Sequence, residues 1–461
     1  MKTLRCLLIV YSLTSNYVNG QSNEQCLNNL SIFAESAKIK NYDTAYDTWL
    51  LVLNDCPKLN LAIYTLGERI LKHKIKNSTS AEQESFKEDL INLYDKWIVN
   101  FPKRKGVSKI GSILSKKAQA LIDYKLADDA AVYAVFDDAY KKDATSFTNP
   151  KGLYNYFDTL YKQYKTTNTI VSTEHLFNMY EEISEKFEYE STSLAKKLDK
   201  ILIKEEKGDA LSKREIYNKR AYNTNSKGIA TYLKKLNQVI INEASCENLI
   251  PLYERNFEEN KTDSKWLNRA ARRMSSKDCS DDPLFVNIIE TLHRLDPGAN
   301  SAYYLGLLND KKGKASEALK YYEESISLES DPYKKAKILY KIAVKFSKAG
   351  RKQSSRRYAQ KALKNQPSMG KAHLLIAGLY ASSANDCGDS TFNKRAIYWL
   401  AADTARKAGR VDASIRKSAN KTALSYMGRA PSKTDIFSQA NEGTKITFNC
   451  WVGGSVTVPK L

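Results

Sequence analysis

Apolar residues recur at helical spacing along most of this chain. LINLYDKWIV (90–99), LYNYFDTLYKQY (153–164) and TYLKKLNQVII (231–241) set leucines, isoleucines and aromatics three and four residues apart, the pattern of amphipathic helices. VNFPKRKG, FTNPKG and HRLDPGAN interrupt it, and Pro102, Pro150 and Pro297 in them read as ends of helical units. From Ala299 a longer period appears. ANSAYYLGLLNDKKGKASEALKYYEESISLESDP runs 34 residues to Pro332, and AKILYKIAVKFSKAGRKQSSRRYAQKALKNQPSM (336–369) repeats its plan. A period of this size signals stacked supersecondary units, each packing on its neighbours. Only the end differs. ITFNCWVGGSVTVP (446–459) alternates β-branched and polar residues around Gly453-Gly454, which predicts a hairpin with Cys450 in mid-strand. An isolated hairpin is marginal in water, so something must hold it.

In the first repeat Leu305-Gly306, Gly313, Ala318, Tyr322 and the closing Asp331-Pro332 fall where a tetratricopeptide (TPR) repeat has its signature residues, and the segment resembles that family. Small residues at Gly306 and Ala318 let two antiparallel helices approach, Leu305, Tyr322 and Ile326 fill the seam, and the proline is expected to stop the second helix. The second repeat has Ile342-Ala343 in the Leu-Gly place, Gly350 at the turn, Pro367 at the end, and Ser355 where Ala is usual. A third opens at Gly370 and keeps Tyr380, but ASSANDCGDSTF (381–392) is inserted before its second helix, NKRAIYWLAADTARKAG. Phe33, Tyr42, Ala45, Trp49 and Pro57 fit the same frame at 26–57, and elsewhere the resemblance is architectural. It implies an all-α, TPR-like α-solenoid of antiparallel helix pairs with a C-terminal β-hairpin cap. The expected divisions are a signal peptide at 1–20, divergent repeats at 21–245, a disulfide-bracketed unit at 246–298, clear repeats at 299–440 and the hairpin tail at 441–461.

The signal peptide is read from Lys2 and Arg5, the apolar run CLLIVYSL (6–13), and Val18 and Gly20 before a cut at Gln21. It implies export to a periplasm or the exterior. The cysteine count fits, since seven become the even set 26, 56, 246, 279, 387 and 450 once Cys6 is removed. On the repeat frame Cys26 and Cys56 lie at one end of a helix pair, as do Cys246 and Cys279, which leaves Cys387 with Cys450 as the staple of the hairpin. A free buried thiol on a tail packed elsewhere is the alternative at that last pair.

Charge changes the picture most. The chain carries 73 Lys and Arg against 52 Asp and Glu, a net +21, which favours acidic partners. Between Asp331 and Asp386 there is no acidic residue, while thirteen Lys or Arg occur. The plain reading is a solvated basic face with a compensating acidic neighbour. The resemblance adds that TPR first helices line a concave groove, which here assigns Asn300, Tyr303, Tyr304 and Leu307, then Lys337, Tyr340, Lys341, Val344 and Lys348, to partner binding. Lys337 and Lys341 match two cationic positions of the carboxylate-clamp type, but Tyr303 and Leu307 replace its lysine and asparagine, so the complete clamp is not supported.

Catalytic chemistry is not signalled. The histidines (73, 175, 293, 373) are scattered singly, with a surface or seam role expected for each, and no cofactor or metal is expected. GVSKIGS (106–112) lacks a phosphate-binding lysine, Ile110 standing in its place, and no strand is predicted before it. Glu181-Glu182 and Asp137-Asp138 read as solvated charges. The expectation is a non-catalytic exported scaffold binding an acidic or extended protein segment, with a component of an envelope complex as partner, no nucleic acid and no transmembrane segment. This plan resembles exported TPR proteins of the bacterial cell envelope, which implies a part in envelope assembly or secretion. A glycan- or anionic-glycolipid-binding protein using the basic repeat is the alternative, and a hidden enzyme a remote third.

Overall fold

The computed structural model describes residues 7–166 and 171–461, with side chains described from residue 23 onward. The expected signal peptide therefore lies outside the described residues at 1–6, and at 7–20 is described only as backbone of the first helix. Two compact units are present, Met1–Met179 and Tyr180–Leu461. None of the described helices is long and apolar enough to cross a membrane.

The first unit is a row of helices: α1 (Leu7–Lys38), α2 (Tyr42–Asp55), α3 (Ala62–Asn77), α4 (Ser80–Asn100), α5 (Ile110–Asp123), α6 (Asp129–Asp143) and α7 (Pro150–Thr166). The pairs are α1 with α2, α3 with α4 and α5 with α6, and α7 packs on α6. A capping box of Thr79 and Glu82 starts α4, and Asp128 caps α6, satisfying amide donors that a helix start leaves free. Trp49 of α2 is buried against Gly67 of α3, and its indole donates to the Ile63 carbonyl at 2.7 Å. Cys26 of α1 is bonded to Cys56 at the end of α2.

One expectation is corrected here. A strand, β1 (Lys103–Arg104), does precede GVSKIGS, and it pairs antiparallel with β2 (Val107–Ser108) inside that segment. Its turn uses left-handed Lys105 and Gly106, the backbone that tight hairpins need. The start of α5 is nonetheless no phosphate cradle. The Asp143 carboxylate occupies it, accepting from the Ser108 hydroxyl at 2.7 Å and the Gly111 amide at 3.4 Å.

Helix α8 (Thr173–Glu206) begins in the first unit and continues in the second, followed by α9 (Lys213–Val239), α10 (Cys246–Asn260), α11 (Ser264–Ser276), α12 (Pro283–Leu295), α13 (Ala299–Lys311), α14 (Ala315–Leu328), α15 (Pro332–Lys348), α16 (Lys352–Asn365), α17 (Gly370–Ala381), α18 (Thr391–Val411), α19 (Arg416–Met427) and α20 (Lys433–Gln439). Successive helices pair as α11 with α12, α13 with α14, α15 with α16 and α17 with α18, and α19 folds back on α18. Gly313 and Gly350 turn the first two of the 34-residue repeats with positive φ. At Gly306 a side chain would meet the Tyr322 ring at 2.5 Å, so the close approach read from sequence is present. Ser355 replaces the usual alanine without loss, because its hydroxyl donates to the Ala343 carbonyl at 2.7 Å. Pro332 does not close α14, as expected from sequence, but opens α15 at its first turn behind the Asp331 cap, where a missing amide costs nothing. Pro150 likewise opens α7.

Cys246 is bonded to Cys279, and Cys387 to Cys450 with Cα atoms 5.3 Å apart. The tail forms β3 (Lys445–Thr447) and β4 (Ser455–Thr457) in antiparallel register. The strands are shorter than the alternation suggested, and Cys450 sits in the connection between them rather than in mid-strand. Ile446, Phe448, Val452 and Val458 close a cluster with Ala384, Ile397, Trp399 and Ile436. The Trp451 indole donates to Ser383 at 3.1 Å, and Arg356 reaches the Val452 carbonyl. Apolar burial and one covalent tie thus hold a hairpin that would not persist alone.

Candidate binding groove

Helices α11, α13, α15 and α17, the first members of successive pairs, bring cations onto one surface of the second unit. Lys341 of α15 lies 4.9 Å over the Tyr303 ring of α13, and Lys371 of α17 lies 4.6 Å over Tyr340 of α15. Both ammonium groups reach solvent, yet protein crowds them. Desolvation holds each pKa below the ordinary lysine value. Around Lys341, Glu188 opposes that shift while Arg272, Lys371 and Lys337 add to it. An ammonium resting on an aromatic face that solvent still reaches is a cation–π arrangement worth about 0.5–1 kcal/mol.

Of the nine residues assigned to the groove, Tyr303, Lys337, Tyr340 and Lys341 come together. Tyr303, Tyr304 and Leu307 are all buried, at 7 %, 4 % and 7 % exposure; Tyr303 lies directly beneath Lys341, whereas Tyr304 packs edge-on against Phe285 and neither it nor Leu307 is open to a partner. Their positions read as groove because the repeat frame numbers residues along a helix, whereas α13 is covered on nearly all sides from Ser301 to Leu308. Val344 is half-buried, and Asn300 and Lys348 are exposed near helix ends. Lys348 stands eleven residues beyond Lys337, about 16 Å along α15 at the rise of an α-helix.

Sequence reasoning missed what covers this surface. Helix α8 lies along it, acidic side inward. Glu185 makes paired hydrogen bonds with Arg269 at 2.9 and 2.7 Å. Glu181 bonds Arg272 and Arg273, and Glu188 stands 3.9 Å from Arg272 and 3.8 Å from Lys337. Glu181 is 5 % exposed, so its reading as a solvated charge is corrected: a carboxylate this buried is tolerated because two guanidinium groups meet it. Burial alone would raise the pKa of Glu185, but the Arg269 hydrogen bonds and charge, with Arg272, bring it below the ordinary carboxylate value. Further along, Lys196 pairs with Asp331 at 2.9 Å, the Asp199 carboxylate accepts from the Ser368 amide at 2.7 Å, and Glu206 pairs with Lys407 at 3.3 Å. The acidic neighbour that would balance a cationic repeat is therefore α8. Its signal was present in EEISEKFEYE, where Glu181, Glu185 and Glu188 recur at four and three residues and so share one helix face.

His73 contacts Asp43 at 3.1 Å, and His293 contacts Ser301 at 3.0 Å, where that hydroxyl caps α13. His373 is buried on α17, and desolvation, with Lys407 and Arg410 nearby and Glu206 partly opposing, pulls its pKa down to about 4.

Antiparallel pairs recurring at intervals of 33 to 38 residues from α11 to α17, with glycine turns and small-residue seams, make this chain an all-α protein of the tetratricopeptide-repeat type with a short C-terminal hairpin. No protein-family profile matches it. Among curated proteins it is similar to the photosystem I assembly protein Ycf3 of Cyanophora paradoxa, 33 % identical over 107 residues, which are 21 % of this chain and 62 % of that protein. It is also similar to the protein of that name from Cuscuta gronovii, 28 % identical over 29 % of this chain and 87 % of the relative. The chain thus spans less than two thirds of the first relative's length. Similar solved structures are a tetratricopeptide repeat protein from Parabacteroides merdae (12 % identical, 68 % of this chain and 97 % of that one, TM-score 0.24) and yeast Tom70 (12 % identical, 91 % and 99 %, TM-score 0.24). Scores this low support no argument from overall arrangement, and the class stands on the helix pairs themselves.

Proposed function

We propose that the chain is a non-catalytic, exported scaffold that binds a protein partner through an acidic segment laid in the cationic groove of its second unit, in the service of envelope assembly or secretion. The observation that carries this reading is the seating of α8. Three of its carboxylates meet arginines and a lysine of α11 and α15, so the surface already accepts an acidic helical ligand. Binding by repeats of this kind uses preformed helices and pockets. The expected signal sequence and the disulfides favour an oxidising compartment outside the cytoplasm. The assembly role in the relatives' printed name favours a part in building a complex.

The test is co-purification from the native envelope fraction with wild type and with Lys341→Glu combined with Lys371→Glu. These two rest on aromatic rings rather than holding α8 by short ion pairs. Loss of one discrete partner with an unchanged circular dichroism spectrum supports the reading; retention of every partner refutes it. The second reading, binding of an anionic glycan or glycolipid, is favoured by Arg357 and Lys361, exposed cations of α16 that lie 5.5 and 5.3 Å from the buried Tyr358 ring. It predicts salt-sensitive retention on heparin or lipopolysaccharide that weakens with each cation removed from α16 and is indifferent to Lys341 and Lys371.

A further inference from the structure

We infer that the groove's partner is an acidic amphipathic helix with carboxylates spaced as in Glu181, Glu185 and Glu188, and that it binds by displacing α8, a built-in occupant of the same surface. This rests on the groove reading above and names its partner and its regulation.

Helix α8 shows which ligand the surface fits, and also that it fits α8 incompletely. Its first turns in the second unit are well seated, with Ile183 and Phe187 fully buried beside the Glu181 and Glu185 pairs. Beyond them, none of residues 188–197 is buried. Glu188 reaches its two cations only at 3.8 and 3.9 Å. Lys341 and Lys371 have aromatic faces beneath them, and among the described residues no carboxylate lies at ion-pair distance from either.

Under the second half of α8 the contact is poor. A cavity of about 170 Å³ separates α8 and α9 from the floor, bounded by Ser191, Ala195, Leu198, Ile229, Ser368 and Asp412. Its lining forfeits the dispersion contacts that tight packing would give. Asp199 is buried; its Oδ1 accepts from the Ser368 amide, while its Oδ2 has no well-aligned donor although the Tyr333 hydroxyl is close by. Burial raises its pKa, with Tyr333 and Ser368 partly opposing. Helix α9, linked to α8 by Lys204 with Glu215 and Lys219 with Glu205, buries only Ile229 and Leu236. Few apolar contacts and many exposed backbone bonds mark a segment that opens more easily than its surroundings. A partner helix carrying a further carboxylate toward Lys341 and Lys371 would satisfy charges that α8 leaves to aromatic rings. The occupied state reduces apparent affinity by the fraction of molecules with the groove open.

The experiment uses the full chain and a fluorescent synthetic peptide of residues 180–206 as probe. Binding is read by anisotropy against wild type and against Glu185→Gln with Glu188→Gln, two half-exposed positions whose loss loosens α8 without stranding Arg273. The variant should bind at least about tenfold more tightly, the population effect of freeing the groove. Hydrogen exchange in 180–206 of wild type should accelerate when peptide is added. Equal affinity for both proteins, or exchange in α8 that peptide leaves unchanged, overturns displacement; the exchange measurement on wild type decides the matter if the variant misfolds. The two levels separate cleanly. If Lys341→Glu with Lys371→Glu loses the native partner while the loosened variant gains nothing, the groove stands and displacement fails; if the lysine variant keeps its partner, the groove reading itself is wrong.

Discussion

Replacing Gly67 by alanine tests the packing of the first unit in a way that can be worked from distances. A Cβ there would lie 2.5 Å from the Trp49 indole nitrogen and 2.7 Å from two carbons of the same ring, far inside ordinary contact. The indole cannot simply swing away, because it is 1 % exposed and donates to the Ile63 carbonyl at 2.7 Å. Either α2 and α3 part or the hydrogen bond breaks. Overpacking costs about 1–3 kcal/mol, loss of a buried hydrogen bond adds about 1 kcal/mol, and the better helix propensity of alanine returns about 1 kcal/mol. The net expectation is a loss of about 1–3 kcal/mol, read as a lower urea midpoint for the first unit by hydrogen exchange of α2 and α3. On a Trp49→Leu background the same Gly67→Ala change should become neutral or slightly stabilising, since only the propensity gain remains. A neutral or stabilising effect in the wild-type background would refute the close approach of α2 and α3.

Two further outcomes are expected. His373 is neutral in the folded chain above about pH 4 but takes up a proton near its ordinary 6.5 when unfolded. The second unit should therefore lose stability as pH falls from 6.5 to about 4, and His373→Gln should flatten that limb of a melting-temperature profile. Replacing both Cys387 and Cys450 by serine opens a loop of 63 residues, which the chain-entropy model values at about 4 kcal/mol. Limited proteolysis should then cut within 441–461 before it cuts α17 or α18; equal resistance with and without the bond would show that the apolar cluster alone holds the hairpin.

The repeat from Ala299 to Met369 was legible because its signals are local. Gly306, Ala318 and Tyr322 act within one helix pair, and Gly313 and Gly350 need only their own backbone conformation. The pairings of Cys26 with Cys56 and of Cys246 with Cys279 were reachable for the same reason, since antiparallel helices return a chain to where it started, and Cys387 with Cys450 followed as the pair left over. Proline was misread at 332 because it ends one helix pattern and begins the next, and only the Asp331 side chain, bonded to the amides of Tyr333 and Lys334, shows which role it has. The groove was half legible. Lys337, Tyr340 and Lys341 follow from the repeat frame, but the burial of Tyr304 and Leu307 depends on α12 and α14 packing from two sides. The role of α8 was out of reach of local patterning, because Glu185 and Arg269 are 84 residues apart in sequence and nothing in either helix alone says that they meet. Charge complementarity between an acidic helix face and a cationic repeat was the only available signal.

That contact is also where the account is most exposed to a direct check. A charge swap across it, Glu185→Arg with Arg269→Glu, can be compared with each single change by the thermal midpoint of the second unit and by hydrogen exchange in 180–206. With Glu185 partly open to solvent, a coupling of about 1 kcal/mol is expected. Each single reversal should place like charges in contact and release α8, and the swapped pair should recover both the midpoint and the protection. Additive single and double effects, with α8 equally protected throughout, would mean that it does not lie on the cationic surface and that the groove is not the one described.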